Sequence, residues 1–152
     1  MMTAQAHSPT LVDLVLGYEH AGLLERIQEK LHKSADQAQE LFVDMLMFLY
    51  LAGMGQGSLV PAEEIDEAWH HFILFTADYE RFCLTHFGRF IHHRPFTQEE
   101  RASLDGSLGR RTLTLAEATF GKPLSANWHS RAGDCNKCQG STNCNGGNCS
   151  PQ

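Results

Sequence analysis

The sequence lacks any apolar stretch long enough to cross a lipid bilayer. Its longest apolar stretch, from Met45 to Met54, is about half of the roughly 20 residues that a transmembrane helix needs. The first ten residues also lack the basic segment followed by an apolar segment that marks a secretory signal. We therefore expect a soluble cytoplasmic protein that does not have a membrane as its partner.

Basic residues are few as well. Lys and Arg together number 12 against 18 Asp and Glu, which gives a formal net charge of −6, and the densest basic cluster is Arg110-Arg111. Proteins that bind nucleic acid normally carry a basic stripe or patch, so nucleic acid is not expected as a partner.

Standard catalytic signatures are also missing. The sequence contains no His-Glu-x-x-His, no Gly-x-Ser-x-Gly, no phosphate-binding Gly-x-x-x-x-Gly-Lys and no dinucleotide fingerprint. The sequence alone therefore leaves open whether the protein is an enzyme.

Helical periodicity dominates the chain from residue 10 to residue 131. With 42% hydrophobic residues and only five prolines among 152 residues, the composition is that of one globular domain. No segment alternates apolar and polar residues with the period of two that is typical of strands. The sequence predicts a single compact all-α domain of four to six helices over residues 10–131. A Cys/Gly-rich C-terminal tail follows over residues 132–152.

Capping signals set the expected boundaries of these helices. Ser34 and Gln37 form a capping-box pattern before a strongly apolar segment. Pro61, followed by two glutamates, is typical of a first helical turn. The predicted helices span about residues 19–33, 35–52, 62–86, a segment after Thr97, and 113–120.

Asp66 and His70 lie four residues apart in the third predicted helix, so both side chains project from the same helix face. The histidines at 92 and 93 follow a turn at Gly88, and a chain returning beside the helix would bring one of them near His70. Two imidazoles and one carboxylate form a set that holds iron(II) or zinc with open coordination positions. A purely structural network, in which the carboxylate only orients an imidazole, is the alternative.

Four of the five cysteines lie in the tail, with the spacing C-x2-C-x5-C-x4-C. They are Cys135, Cys138, Cys144 and Cys149. Clustered cysteines in a reducing compartment indicate metal or redox chemistry rather than structural disulfides. Zinc and iron–sulfur clusters are both held by four such ligands, so we expect a tail metal site. Zinc is the favoured metal, with an iron–sulfur cluster, iron or copper as alternatives. A Cys-rich segment without metal and a disulfide-bonded segment remain open.

A sequence motif runs along residues 61–95. Its residues are Asp66, Trp69, His70, Tyr79 and, after a Gly-Arg step, His93. In this motif the chain resembles the bacterial relatives of the plant glycine-rich domain-containing proteins, a family largely of unknown function. The resemblance implies a helical domain in which the acid and the two histidines cluster, and it implies no established activity. Many plant members have a second histidine where this chain has Phe72, which argues against a three-histidine metal site.

Three functions are consistent with these residues. The favoured one is a metal-binding accessory protein, whose helical domain recognises another protein or a small ligand while the tail holds a metal. The second is a metalloenzyme with its site at Asp66, His70 and His93, and with Tyr79 as a ligand or proton donor. The third is a protein-interaction module in which the histidine network is structural.

Overall fold

The computed structural model describes residues 8–129 and the backbone of the short segments 144–145 and 148–149. Within residues 8–129 the chain forms seven α-helices and one 3-10 helix. They are α1 (Leu11–Leu16), α2 (Ala21–Lys30), α3 (Ala35–Gly53), α4 (Glu63–Ile73), α5 (Thr76–Phe87), α6 (Gln98–Ser103), α7 (Ser107–Phe120) and the 3-10 helix Ala126–His129. The predicted all-α domain is confirmed. Of the helices that the structure describes, none is long and apolar enough to cross a membrane.

The central element is α3, which is apolar around most of its circumference. It begins at the predicted capping box: Ser34 Oγ accepts a hydrogen bond from the Gln37 N–H, and the Gln37 side chain accepts one from the Ser34 N–H. Such a helix is stable only when its neighbours cover it on several sides, and α1, α2, α4 and α7 all pack against it. Its buried apolar residues are Ala38, Leu41, Phe42, Met45, Leu46, Phe48, Leu49 and Leu51.

The prediction of a single helix over residues 62–86 is wrong, because the chain forms two helices there, α4 and α5. Phe75 leaves the helical region with φ −83° and ψ 65°, and its N–H bonds the carbonyl of Phe72 in a tight turn. Its ring packs against the imidazole of His20, with centroids 4.6 Å apart. No Gly or Pro marks this break in the sequence. The break is one reason why the helices number seven rather than four to six.

Two other helices also differ in length from their predictions. The helix α2 is shorter than 19–33, because His20 caps its start through a hydrogen bond from the Leu23 N–H. The helix α7 begins two turns earlier than residue 113, directly after Gly106, whose φ of +83° suits glycine. The cap predicted at Thr97 is present, since Thr97 and Glu100 exchange hydrogen bonds at the start of α6.

A buried carboxylate holds the C-terminal end of the domain against α3. Asp44 is 4% exposed and accepts hydrogen bonds from Ser125 Oγ, from Asn127 Nδ2 at 2.9 Å and from Trp128 Nε1 at 2.9 Å. The 3-10 helix that contains Trp128 packs on both α3 and α4. The chain therefore leaves the domain beside the two helices that form its centre.

The C-terminal segment contributes one short antiparallel ladder, β1 (Cys144–Asn145) and β2 (Asn148–Cys149). Its register places Cys144 opposite Cys149. The predicted domain boundary between residues 131 and 132 lies outside the described residues.

Candidate metal centre

Asp66 lies at the centre of the predicted site in the helical domain. Its Oδ1 is 2.8 Å from Nε2 of His93, and its Oδ2 is 3.5 Å from Nε2 of His70. One ligand atom from each of the three residues lies within 4.8 Å of the other two. The rings of His70 and His93 approach to 4.4 Å between centroids. The structure thus brings together one carboxylate and two imidazoles, as the sequence predicted.

Local and distant parts of the chain build this cluster in different ways. Asp66 and His70 share one face of α4 because they are separated by about one helical turn. His93 comes from the extended segment after α5, whose C-terminal cap is Gly88 with φ +68°. Arg89 then donates to the carbonyls of Ala52 and Gly53 at the end of α3. This contact fastens the returning segment to α3.

A buried hydrogen-bonded chain aligns His93 from the interior. The indole Nε1 of Trp69 donates to the hydroxyl of Tyr79 at 3.0 Å, and this hydroxyl donates to the carbonyl of Ile91. The ring of Trp69 also contacts the ring of His93, with centroids 4.4 Å apart. The Tyr79–Ile91 bond fixes the backbone two residues before His93.

Of the two roles predicted for Tyr79, its environment argues against metal ligation, and the role of proton donor stays a prediction. Its side chain is buried in the core, and its hydroxyl is already committed to Trp69 and Ile91. Burial, the largest cause, raises the pKa of Tyr79 far above its ordinary value. A phenol that stays protonated and faces a backbone carbonyl is a poor metal ligand.

The cluster is closed towards the core and open towards solvent. The side chain of His93 is 12% exposed, that of Asp66 30% and that of His70 41%. Glu67 Oε1 lies 3.8 Å from Nδ1 of His70, on the side away from Asp66. A carboxylate at this position can orient a metal-bound imidazole through its second nitrogen. The sequence reasoning did not assign Glu67 to the site, although its three-residue spacing from His70 carried the signal.

The neighbouring histidines lie outside this cluster. His71 accepts a hydrogen bond from Arg26 Nε at 3.0 Å, and burial lowers the pKa of His71 below its ordinary range. His92 is exposed and its ring packs on Phe90. The dipeptides His70-His71 and His92-His93 therefore each supply one residue to the site.

The predicted tail site falls largely outside the described residues. Cys135, Cys138 and the side chains of Cys144 and Cys149 lie beyond them. The fifth cysteine, Cys83, is a buried thiol of the helical core, and burial raises its pKa.

Comparison with known proteins locates the helical part of the chain in one family. A family model described as UCP032817-like matches residues 15–116, which is more than half of the chain. The matched range includes Asp66, His70 and His93 and excludes the C-terminal cysteines. Comparisons with curated proteins and with solved structures gave no match.

Proposed function

Since the chain belongs to the UCP032817-like family, whose name carries no activity, we propose its function from the site itself: it is a metal-binding protein whose ion is held by Asp66, His70 and His93. The observation that carries this proposal is the convergence of these three side chains. Their ligand atoms lie within 4.8 Å of one another, although 27 residues separate Asp66 from His93. The finer resemblance to glycine-rich domain-containing proteins is consistent with this proposal.

The distances suit a small transition-metal ion. A tetrahedral ion with bonds of about 2.0–2.2 Å holds neighbouring ligand atoms roughly 3.4 Å apart. The 3.5 Å between Asp66 Oδ2 and His70 Nε2 is close to this value, whereas the 2.8 Å between Asp66 Oδ1 and His93 Nε2 is shorter and has the length of a direct hydrogen bond. Two nitrogens and one oxygen favour zinc or iron(II), whereas magnesium and calcium prefer oxygen ligands. Zinc is the ion that we propose.

A structural network explains this geometry less fully. The contact between Asp66 and His93 has the length of a good hydrogen bond, but 3.5 Å between Asp66 and His70 is long for one. A network that only gives the His93 ring a hydrogen-bond partner does not require a second imidazole beside it. A shared ion gives both imidazoles a role.

Two further functions build on the same site. The exposure of His70 favours a metalloenzyme, because open coordination positions would face solvent and could accept a water or substrate. The opposed backbone positions of Cys144 and Cys149 favour the accessory function, because they bring two cysteines of the tail together. In a reducing cytoplasm those thiols stay available for a metal, and another protein would be the partner.

The experiment is a zinc titration of the full-length protein in which the four tail cysteines are replaced by serine. We expect one zinc ion per chain, measured by calorimetry and elemental analysis. His93→Gln should weaken binding at least tenfold, because it removes a ligand. His92→Gln is the matched control, since this neighbouring imidazole is exposed and lies outside the cluster. Equal zinc affinity in the two variants would refute the proposal.

A further inference from the structure

We propose that a cleft between α5 and the turn before α2 binds a free amino acid with an aromatic side chain. This α5 cleft has a volume of about 560 Å³, within the range of about 300–1,000 Å³ that is usual for small-ligand sites. Its lining contains none of the three residues proposed to hold a metal, so the inference is independent of that function. The lining residues on which it depends are Tyr18, Glu19, His20, Asp78, Arg81 and His86.

Aromatic rings form the floor of the α5 cleft. The ring of Tyr18 is half-buried and packs against the ring of Phe82, with centroids 4.8 Å apart. The imidazole of His86 contacts the same ring of Phe82, also at 4.8 Å. Tilted and edge-on arrangements of this kind are those that aromatic rings prefer among themselves. The floor of the cleft therefore suits the aromatic ring of a ligand.

A carboxylate on one side of the cleft is held in place by His20. Nδ1 of His20 accepts a hydrogen bond from the Leu23 N–H at 2.9 Å, so the ring carries its proton on Nε2. Nε2 then donates to Asp78 Oδ2 at 2.8 Å. The side chain of His20 is only 12% exposed, whereas that of Asp78 is 41% exposed. Asp78 is thus fixed through one oxygen and can accept from a ligand through the other, Oδ1.

Arg81 places the opposite charge beside this oxygen. Its Nη1 lies 3.7 Å from Asp78 Oδ1, which is too long for a hydrogen bond. The two charges are therefore neighbours, but the guanidinium donors remain available to a ligand. A planar guanidinium can bind a carboxylate through two parallel N–H donors. The hydroxyl of Tyr18 lies close enough to Asp78 and Arg81 for both charges to act on the pKa of Tyr18, which burial raises.

A zwitterionic amino acid matches this pair of charges. Its ammonium nitrogen and its nearer carboxylate oxygen are roughly 3 Å apart, as backbone bond lengths and angles require. The ammonium group can donate to Asp78 Oδ1 while the carboxylate accepts from Arg81, which gives four charges of alternating sign. Glu19 adds a second carboxylate to the lining, and this disfavours a ligand that carries only negative charge. The aromatic side chain of the ligand then lies on Tyr18 and His86.

The test compares L-phenylalanine with three related ligands. Phenethylamine lacks the carboxylate, 3-phenylpropionate lacks the ammonium group, and L-alanine lacks the ring. Calorimetry of the full-length protein should show that each of them binds at least about fivefold more weakly than L-phenylalanine, since each loses one of its contacts. In NMR spectra, L-phenylalanine should shift the ring signals of His86, which lines the cleft, and not those of His92, which does not.

A variant of Arg81 tests the assignment of its guanidinium. Arg81→Gln should weaken the binding of L-phenylalanine at least about fivefold and leave the binding of phenethylamine unchanged, because that ligand has no carboxylate. Glu80→Gln is the control, since Glu80 is exposed on α5 and does not line the cleft, and it should change neither affinity. Both substitutions are at exposed positions, and circular dichroism checks that both variants fold.

Four results would overturn the inference. The first is the absence of saturable L-phenylalanine binding at millimolar concentrations. The second is equal affinity for L-phenylalanine and phenethylamine, which would mean that no group of the cleft recognises the carboxylate. The third is an equal effect of Arg81→Gln on both ligands. The fourth is binding that leaves the ring signals of His86 unchanged, because the ligand would then lie elsewhere on the protein.

Discussion

Trp69 and Tyr79 are joined by a buried hydrogen bond of 3.0 Å from the indole nitrogen to the phenol oxygen. The same hydroxyl donates to the carbonyl of Ile91. One side chain thus joins α4, α5 and the returning segment that carries His93. Because buried polar groups are costly to leave unpaired, this link stabilises both the domain and the alignment of the candidate site.

We expect Tyr79→Phe to lower the free energy of unfolding by about 2 kcal/mol or more, because it leaves the Trp69 N–H and the Ile91 carbonyl without a partner at about 1–3 kcal/mol each. Urea denaturation measures this loss. The control is Tyr50→Phe, since the hydroxyl of Tyr50 makes no hydrogen bond within the described part of the chain. It should change stability by less than about 0.5 kcal/mol. Similar losses in both variants would show that the Tyr79 hydroxyl is not a structural link.

Asp44 allows a second test of buried hydrogen bonding. All three of its partners, Ser125, Asn127 and Trp128, donate to its carboxylate. In Asp44→Asn an amide NH2 would face at least one of these donors, and we expect a loss of about 2 kcal/mol or more. Thermal unfolding should show it as a lower Tm, by about 2–4 °C per kcal/mol for a chain of this size. Glu40→Gln, an exposed change one turn earlier on α3, should leave the Tm nearly unchanged.

Local sequence signals predicted those parts of the fold that depend on local contacts. The capping box at Ser34 and Gln37 acts within one helical turn, so the start of α3 could be predicted directly from the sequence. The break at Phe75 could not, because it depends on packing against His20, more than fifty residues away in sequence. Apolar spacing continues through the break without a Gly or Pro. Tertiary contacts therefore determine the division between α4 and α5.

The same distinction applies to the candidate site. The pairing of Asp66 with His70 follows from helical spacing and needs no knowledge of the fold. The selection of His93 instead of His92 depends on how the segment after Gly88 returns, and the motif resemblance supplied that selection where spacing could not. The predicted site did not include Glu67, and the 3.8 Å between its Oε1 and Nδ1 of His70 is a contact that the structure adds.

Two glycines in helices should respond in opposite ways to alanine. At Gly53 an added Cβ would lie 2.4–2.7 Å from ring carbons of Phe87, so the ends of α3 and α5 could not pack as they do. We expect Gly53→Ala to destabilise the domain by about 1–3 kcal/mol. Gly109 in α7 is exposed and has no such neighbour within 4 Å. Gly109→Ala should stabilise by about 0.5–1 kcal/mol, the usual gain in helix propensity. Chemical denaturation of both variants measures the difference, and a stabilising Gly53→Ala would contradict the close approach of the two helices.

The environment of the His86 imidazole allows a prediction of how the free energy of unfolding depends on pH. Its ring lies among Tyr18, Phe82 and Phe87, and burial lowers the pKa of His86 below the ordinary value of 6.5. The unfolded chain therefore binds a proton more readily than the folded chain does. The free energy of unfolding should be unaffected by this group above pH 6.5, fall as the pH drops from 6.5 to the folded-state pKa, and then level off.

His71 adds to the same trend, because burial lowers its pKa as well. His86→Gln removes the titrating group. Urea denaturation between pH 7.5 and about 5 should therefore show a smaller decrease in the free energy of unfolding for the variant than for the unmodified protein. An NMR titration of the His86 ring checks the cause directly. A ring that titrates at or above 6.5, or a variant with an unchanged pH profile, would mean that the aromatic cluster does not exclude the charged imidazole.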